Sequence, residues 1–283
     1  MKVSLWGTRG SIASPGPDTI RYGGNTTCVS VEGSQGTLLI LDAGTGIRCL
    51  GQEMKRDLKR IDILLTHLHM DHIQGLPFFA PLRRPGIEVH IWGPASTTLS
   101  LRARLLRYLS PPLFPISVRE ILSDPHFHEL PGGTVQMGEL SWTAQMVIHF
   151  NPTLGFRIQE SDSVMTFLPD HEPALSAERF PRRKEWTSGY DLAKNADLLI
   201  HDAQYTDAEY IKNRGFGHSS IRQAFQFAEL CEVNAMVPFH HDPGHDDDML
   251  DQMMTEAIRE MQPSFEVSDG KEGVVFEMAE EYS

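Results

Sequence analysis

The sequence predicts an α/β fold of the α+β kind, with sheets packed on each other and helices covering them. Three observations predict it. Apolar runs of strand length recur from residue 2 to residue 278, runs of helical length fall between and after them, and no low-complexity linker or internal repeat interrupts the chain. The 283 residues approach the upper size for one hydrophobic core, so residues 1–283 are read as a single domain.

Each element follows in order. Residues 2–6 form a first strand, followed by a Gly/Pro/Ser loop from Thr8 to Asn25. Thr27 to Glu32 and Thr37 to Asp42 alternate as strands across the hairpin signal Gly33-Ser34-Gln35-Gly36. Asp42-Ala43-Gly44-Thr45-Gly46 opens a helix near Ile47 to Arg56, and a strand covers 61–66. Helix-like residues 73–80 are cut by Pro81 and Pro85; a strand at Glu88 to Trp92 and a helix at Thr98 to Leu109 follow, the latter stopped by Pro111 to Pro115. Strands are expected at 134–137, 140–148, 153–159, 163–168, 196–201, 235–239 and 273–278, and helices at 219–230 and 247–261. Asp246-Asp247-Asp248 begins the last helix, where carboxylates cap free N–H groups and favour the dipole.

Composition excludes several classes. With 40% apolar and 22% charged residues the chain is an ordinary globular sequence. A formal net charge of −13 disfavours a broad surface for long nucleic acid, though not a small phosphate ester held by metal. Cys28, Cys49 and Cys231 lack paired spacing and fit buried thiols in a reducing cytoplasm. The start reads as a strand without a signal peptide's apolar region, and no apolar run nears the roughly 20 residues of a membrane helix.

The chemistry concentrates at His67-Leu68-His69-Met70-Asp71-His72, directly behind the apolar run 61–66. Alternate side chains of extended backbone point one way, so His67 and His69 can share a side while Asp71 and His72 face a second point nearby. This spacing suits two adjacent cations. Imidazole and carboxylate together suit zinc, and also manganese or iron. The cluster cannot complete two metal shells alone. His149, Asp170 and His240 each follow an apolar strand and are ligand-type residues at a rigid place.

With Asp42-Ala43-Gly44-Thr45-Gly46, Thr66-His67-Leu68-His69-Met70-Asp71-His72, His149, Asp170 and His240 in this order, the chain resembles the metallo-β-lactamase superfamily. The resemblance implies a four-layer αββα sandwich and a dinuclear site holding two divalent metal ions, zinc by default. His67, His69 and His149 would hold one ion, Asp71, His72 and His240 the other, and Asp170 would bridge them. Asp42 would orient the ligand loops. Flavodiiron oxidoreductases carry an acidic residue where His69 stands, which disfavours that branch. His201-Asp202-Ala203-Gln204-Tyr205 with Gly217-His218-Ser219-Ser220 resembles the paired loops of tRNA 3′-processing endonucleases and related phosphodiesterases. Carried over, Asp202 would orient His218 as proton donor, and Asp71, His218 and Asp202 are the catalytic candidates. The chain departs from that pattern in carrying Asp202 where the family has Glu, one methylene longer.

The function expected is hydrolysis of a small, cyclic-nucleotide-like phosphodiester by water activated between the two ions. The rivals are tRNA 3′ processing, hydrolysis of a carboxylic ester, lactone or thioester, and metal binding without turnover. An RNA enzyme calls for a basic docking surface or a protruding arm, and neither is present in the sequence; Arg102, Arg104 and Arg107 are the best basic patch, which a solvated helix face explains equally well. Relatives in this branch often form homodimers, and the helix at 98–109 offers one candidate face. Arg9, Arg21 and Asn25 contact a substrate anion or support the ligand loops. His241 and His171 are read as supporting rather than ligating, and His90, His126 and His128 as uninvolved. Pro111 to Pro115 and the segment 176–195 frame the pocket rim.

Overall fold

Alternating apolar runs become strands in the computed structural model, which describes residues 1–54, 58–115, 125–175, 180–181 and 183–278. The first half supplies β1 (Lys2–Gly7), β2 (Cys28–Glu32), β3 (Leu38–Leu41), β4 (Arg60–Leu64), β5 (Glu88–Pro94) and β6 (His126–Leu130). The second supplies β7 (Gly133–Met137), β8 (Leu140–Val147), β9 (Thr153–Glu160), β10 (Ser163–Leu168), β11 (Leu198–Asp202), β12 (Ala235–Phe239) and β13 (Glu266–Val267). A last strand, β14 (Val275–Glu277), returns to the first half. The helices are α1 (Ile47–Glu53), α2 (Met70–Ile73), α3 (Leu101–Tyr108), α4 (Tyr190–Ala193), α5 (Asp207–Asn213), α6 (Ile221–Cys231) and α7 (Asp247–Met261).

Two seven-stranded sheets result, ordered β14-β1-β2-β3-β4-β5-β6 and β13-β12-β11-β10-β9-β8-β7. Both are mixed. β3 to β6 run parallel, as do β10 to β13, and the remaining pairs are antiparallel. Val3, Leu5, Val31 and Leu39 meet Trp142, Phe156, Phe167 and Ile200 between the sheets. The opposite face of the first sheet buries Ile40, Ile61 and Ile91 under α1 and α3. That of the second buries Leu199 and Met236 under α6 and α7, with Phe225, Phe227 and Met254 filling the gap. Full burial of each such side chain is worth about 1.5–3 kcal/mol, so the strands' alternation decides which faces meet. The layers are helix, sheet, sheet, helix.

The parallel register positions the site. Leu168 of β10 pairs with His201 of β11, and His201 with Pro238 of β12. The residues just beyond, Asp170, Asp202 and His240, therefore emerge together at the carboxyl ends of neighbouring strands. β4 delivers the 67–72 segment to the same edge from the other sheet.

Some elements differ from expectation. The helix-like stretch after residue 72 is one turn, α2, followed by 3₁₀ turns at Leu76–Phe78 and Ala80–Arg83, each with proline in its first turn. The helix expected from 98 starts at Leu101, where Ser100 caps it by accepting the Ala103 N–H. β6, α4, α5 and β13 were not foreseen. β6 is an edge strand whose His126 and His128 stack with His90, so it lacks an apolar alternation to read. The expected end of the first helix at 55–56, and residues 176–179 and 182 of the expected rim, lie outside the described residues. Among the described residues no helix is long and apolar enough to cross a membrane.

Candidate metal centre

Asp170 follows β10 and divides its two carboxylate oxygens. Oδ2 lies 3.7 Å from His67 Nε2 and 3.5 Å from His149 Nε2. Oδ1 lies 2.9 Å from His72 Nε2 and 3.3 Å from His240 Nε2. His69 joins the first set, its Nδ1 standing 3.3 Å from His149 Nε2, and Asp71 joins the second, its Oδ2 standing 3.1 Å from His240 Nε2. In each set, His67 with His69, His149 and Asp170, and Asp71 with His72 and His240, the candidate ligand atoms lie within 4.8 Å of one another. The structure thus brings together all seven residues that the sequence nominates as metal ligands.

The surrounding hydrogen bonds decide which ring nitrogen faces inward. His72 Nδ1 donates to Asp42 Oδ2 at 2.7 Å. The Thr66 hydroxyl donates to Asp42 and stands 3.0 Å from His67 Nδ1, whose N–H it accepts. His149 Nδ1 donates to the Gly217 carbonyl at 2.8 Å, and His240 Nδ1 stands 3.3 Å from Gln204 Oε1. With Nδ1 so engaged, the Nε2 lone pairs point at the centre, the arrangement by which outer partners orient metal-ligating histidines. Among the described residues, His67 Nε2, His72 Nε2 and Asp170 Oδ1 are buried with no hydrogen-bond partner. Buried polar atoms left this way converge on a spot that a divalent cation fits, in donor chemistry suited to zinc, manganese or iron.

Electrostatics agrees. Burial opposes ionisation of Asp170 and Asp71, yet the imidazoles of His240 and His72 hold both carboxyls well below the usual carboxylate range. Burial likewise opposes charge on His72, but Asp170, Asp71 and Asp42 push it well above the usual imidazole range. His240 is raised to about 9 against its burial by Asp170 and Asp71. The carboxylates draw positive charge to this point. Burial holds His67 well below its ordinary value and lowers His69 and His149.

Comparison with known proteins adds the family. A model described as a beta-lactamase superfamily domain matches residues 37–241. The chain belongs to this superfamily. It is 25% identical over 284 residues to a ribonuclease Z of Staphylococcus epidermidis, covering 85% of this chain and 88% of that one. It is 26% identical over 248 residues to a ribonuclease Z of Thermococcus onnurineus, covering 73% and 76%. Among solved structures, the metallo-beta-lactamase fold protein YhfI of Bacillus subtilis superposes with a TM-score of 0.69 at 18% identity, over 97% of this chain and 98% of that one. Human tRNase Z, short form, superposes at 0.66 and 22% identity, over 99% and 100%. These likenesses show the metallo-β-lactamase fold.

In this superfamily member His218 stands beside the centre. Its Nδ1 lies 2.6 Å from Asp202 Oδ2, so the shorter aspartate closes the contact. A ligand-type atom of His218 falls within 4.8 Å of those of Asp170 and His240, and its ring stacks on His240 with centroids 4.9 Å apart. His218 is not a helix cap: Ser220 caps α6, in a capping box with Gln223. Asp202 also accepts the N–H groups of Gln204 and Ser219, which pins both loops to it.

The N-terminal loop covers the site. Ser11 N–H donates to Asp71 Oδ2 at 2.7 Å. A Cβ on Gly10 would sit 2.3 Å from His240 Nδ1, so this close approach requires glycine. Arg9 is fully buried and donates to the carbonyls of Gly23, Asp242 and His245; Arg21 pairs with Asp248 and Asp251, and Asn25 with Glu272. All three support the loop. Asp247, expected among the capping carboxylates of α7, is buried and accepts the N–H groups of Arg21 and Tyr22; Asp246 is the cap. His241 donates to the Gly270 carbonyl, and His171 lies 2.9 Å from His201.

Sequence reading missed Gln204 and Glu172. Glu172 accepts the Tyr210 hydroxyl at 2.7 Å and the Gly215 and Gly217 N–H groups, which sets the loop that carries both the Gly217 carbonyl and His218. Its one signal was its place two residues after Asp170.

Proposed function

We propose that this metal-dependent hydrolase cleaves a small phosphodiester with two divalent ions, zinc by ligand chemistry. The Asp202–His218 contact beside the His/Asp centre carries this reading. Ester, lactone or thioester hydrolysis has less need of a held acid, whereas departure of an alkoxide from phosphorus calls for one. Bound divalent ions would supply Lewis acidity, lowering the pKa of water to about 7 and polarising phosphoryl oxygens.

The chain's own residues do the rest. His67, His69 and His149 would hold one ion and Asp71, His72 and His240 the other, with one oxygen of Asp170 toward each. Asp42, Thr66, Gln204 and the Gly217 carbonyl keep the imidazoles in the required tautomer. His218 would carry a proton on its far nitrogen while Asp202 accepts from Nδ1, and would give that proton to the departing oxygen. The free thiols Cys28, Cys49 and Cys231 support a cytoplasmic setting.

A second reading, tRNA 3′ processing, is favoured by the relatives named ribonuclease Z. A formal net charge of −13 weighs against it. The test is a panel of bis-p-nitrophenyl phosphate, cyclic nucleotides, a tRNA precursor and a lactone, run with metal analysis. Turnover of the lactone alone would remove the phosphodiesterase reading. Cleavage of the precursor at a kcat/KM far above every small diester would replace it with the second.

A further inference from the structure

A cavity of about 770 Å³ opens beside His67 and His69. That is room for a drug-sized ligand, well beyond a lone phosphate group. α3 contributes Arg104, Arg107 and Tyr108 to its wall, spaced so that they share one helical face, and Met70 and Leu113 add apolar surface. Among the described residues no carboxylate lines it, although the chain carries a formal net charge of −13.

The two arginines differ. Arg104 is committed: its guanidinium donates to the Pro94 carbonyl and stands 3.4 Å from Glu129. Arg107 is exposed at the cavity and has no hydrogen bond or ion pair among the described residues. An unengaged guanidinium in the wall of a pocket without carboxylates favours an oxyanion such as phosphate, two of whose oxygens its planar fork can grip.

We propose that this cavity holds the non-reacting arm of the substrate and that Arg107 reads a second phosphate on that arm. The inference rests on the phosphodiesterase reading and narrows it. The substrate class is a linear nucleotide-type phosphodiester with a terminal phosphate, which a cyclic mononucleotide lacks.

The test compares adenylyl-adenosine with and without a 5′-phosphate as substrates for the metal-loaded enzyme and its R107Q and R107K variants. The quantity read is the ratio of the two kcat/KM values. The wild-type enzyme prefers the phosphorylated dinucleotide, R107Q lowers that preference on the order of tenfold, the loss of about one charge-assisted contact, and R107K keeps most of it. Calorimetric binding of adenosine 3′,5′-bisphosphate against adenosine monophosphate gives the same comparison without turnover. Equal ratios in wild type and R107Q, with both dinucleotides cleaved, overturn the assignment and leave the phosphodiesterase reading in place. Arg107-dependent preference for the bisphosphate in a protein that cleaves no phosphodiester overturns the latter and leaves the pocket.

Discussion

Asp202 accepts a 2.6 Å hydrogen bond from His218 Nδ1 while its other oxygen takes the N–H groups of Gln204 and Ser219. The carboxylate is fully buried, so the imidazole it holds has one orientation beside the metal-ligand cluster. Asp202 is the last residue of β11, and the Ser219 N–H that it accepts holds the His218 segment against it, within reach of the aspartate.

His218→Ala removes the proposed acid and leaves all seven nominated ligands in the chain. Turnover of a phosphodiester with a poor leaving group should fall by about 10²–10⁴-fold, while metal content stays near that of wild type. Elemental analysis beside kcat checks both. Loss of metal from this variant would move His218 into the ligand set and out of the acid's role.

Asp170→Ala takes one oxygen from each ligand set. Both ions should bind weakly, read as less than one tightly held equivalent after dialysis. A variant that retains two tight equivalents argues against a bridge.

Asp42→Asn keeps the size of a buried side chain that orients His72. Metal affinity should drop by about 10–100-fold, the usual cost of losing an outer partner of a ligating histidine. Competition with a chelator measures it, and unchanged affinity would show that Asp42 serves only the Thr66 turn.

Gly10→Ala places a Cβ 2.3 Å from His240 Nδ1. His240 must shift, so affinity at the set it shares with Asp71 and His72 should weaken more than at the other. Metal titration followed by two resolved binding steps tests this; equal weakening of both steps would contradict it.

Acid should destabilise the fold through buried neutral histidines. Burial lowers His201 to about 4 and His241 to about 3. An unfolded chain takes up protons at each near pH 6.5, whereas the folded one refuses them. The unfolded state therefore binds more protons below that pH, and stability falls as pH drops from about 6.5 toward the folded value, by up to about 1.4 kcal/mol per pH unit per group. Urea midpoints at pH 7 and pH 5 should differ less in His201→Asn than in wild type. An identical pH slope would show that His201 titrates alike in both states.

Much of this was legible in the chain itself. Strand alternation exposes the layers because it records which face is buried, and α7 begins at Asp247 as its capping residues indicate. The cluster from His67 to His72 is visible because its residues are neighbours in sequence, and His149, Asp170 and His240 because each ends an apolar strand. What the sequence by itself determined is therefore the set of donor groups and the rigid elements that carry them. Tertiary structure alone decided that one carboxylate faces both sets, that Gln204 and the Gly217 carbonyl hold imidazoles, that Glu172 sets the loop of Gly217 and His218, that Arg9 ties loops together, and that Arg107 borders a cavity beside the centre. Those contacts join segments far apart along the chain; a hydrogen bond between distant segments leaves no period in either one, and only the packing of the two sheets brings its partners within reach.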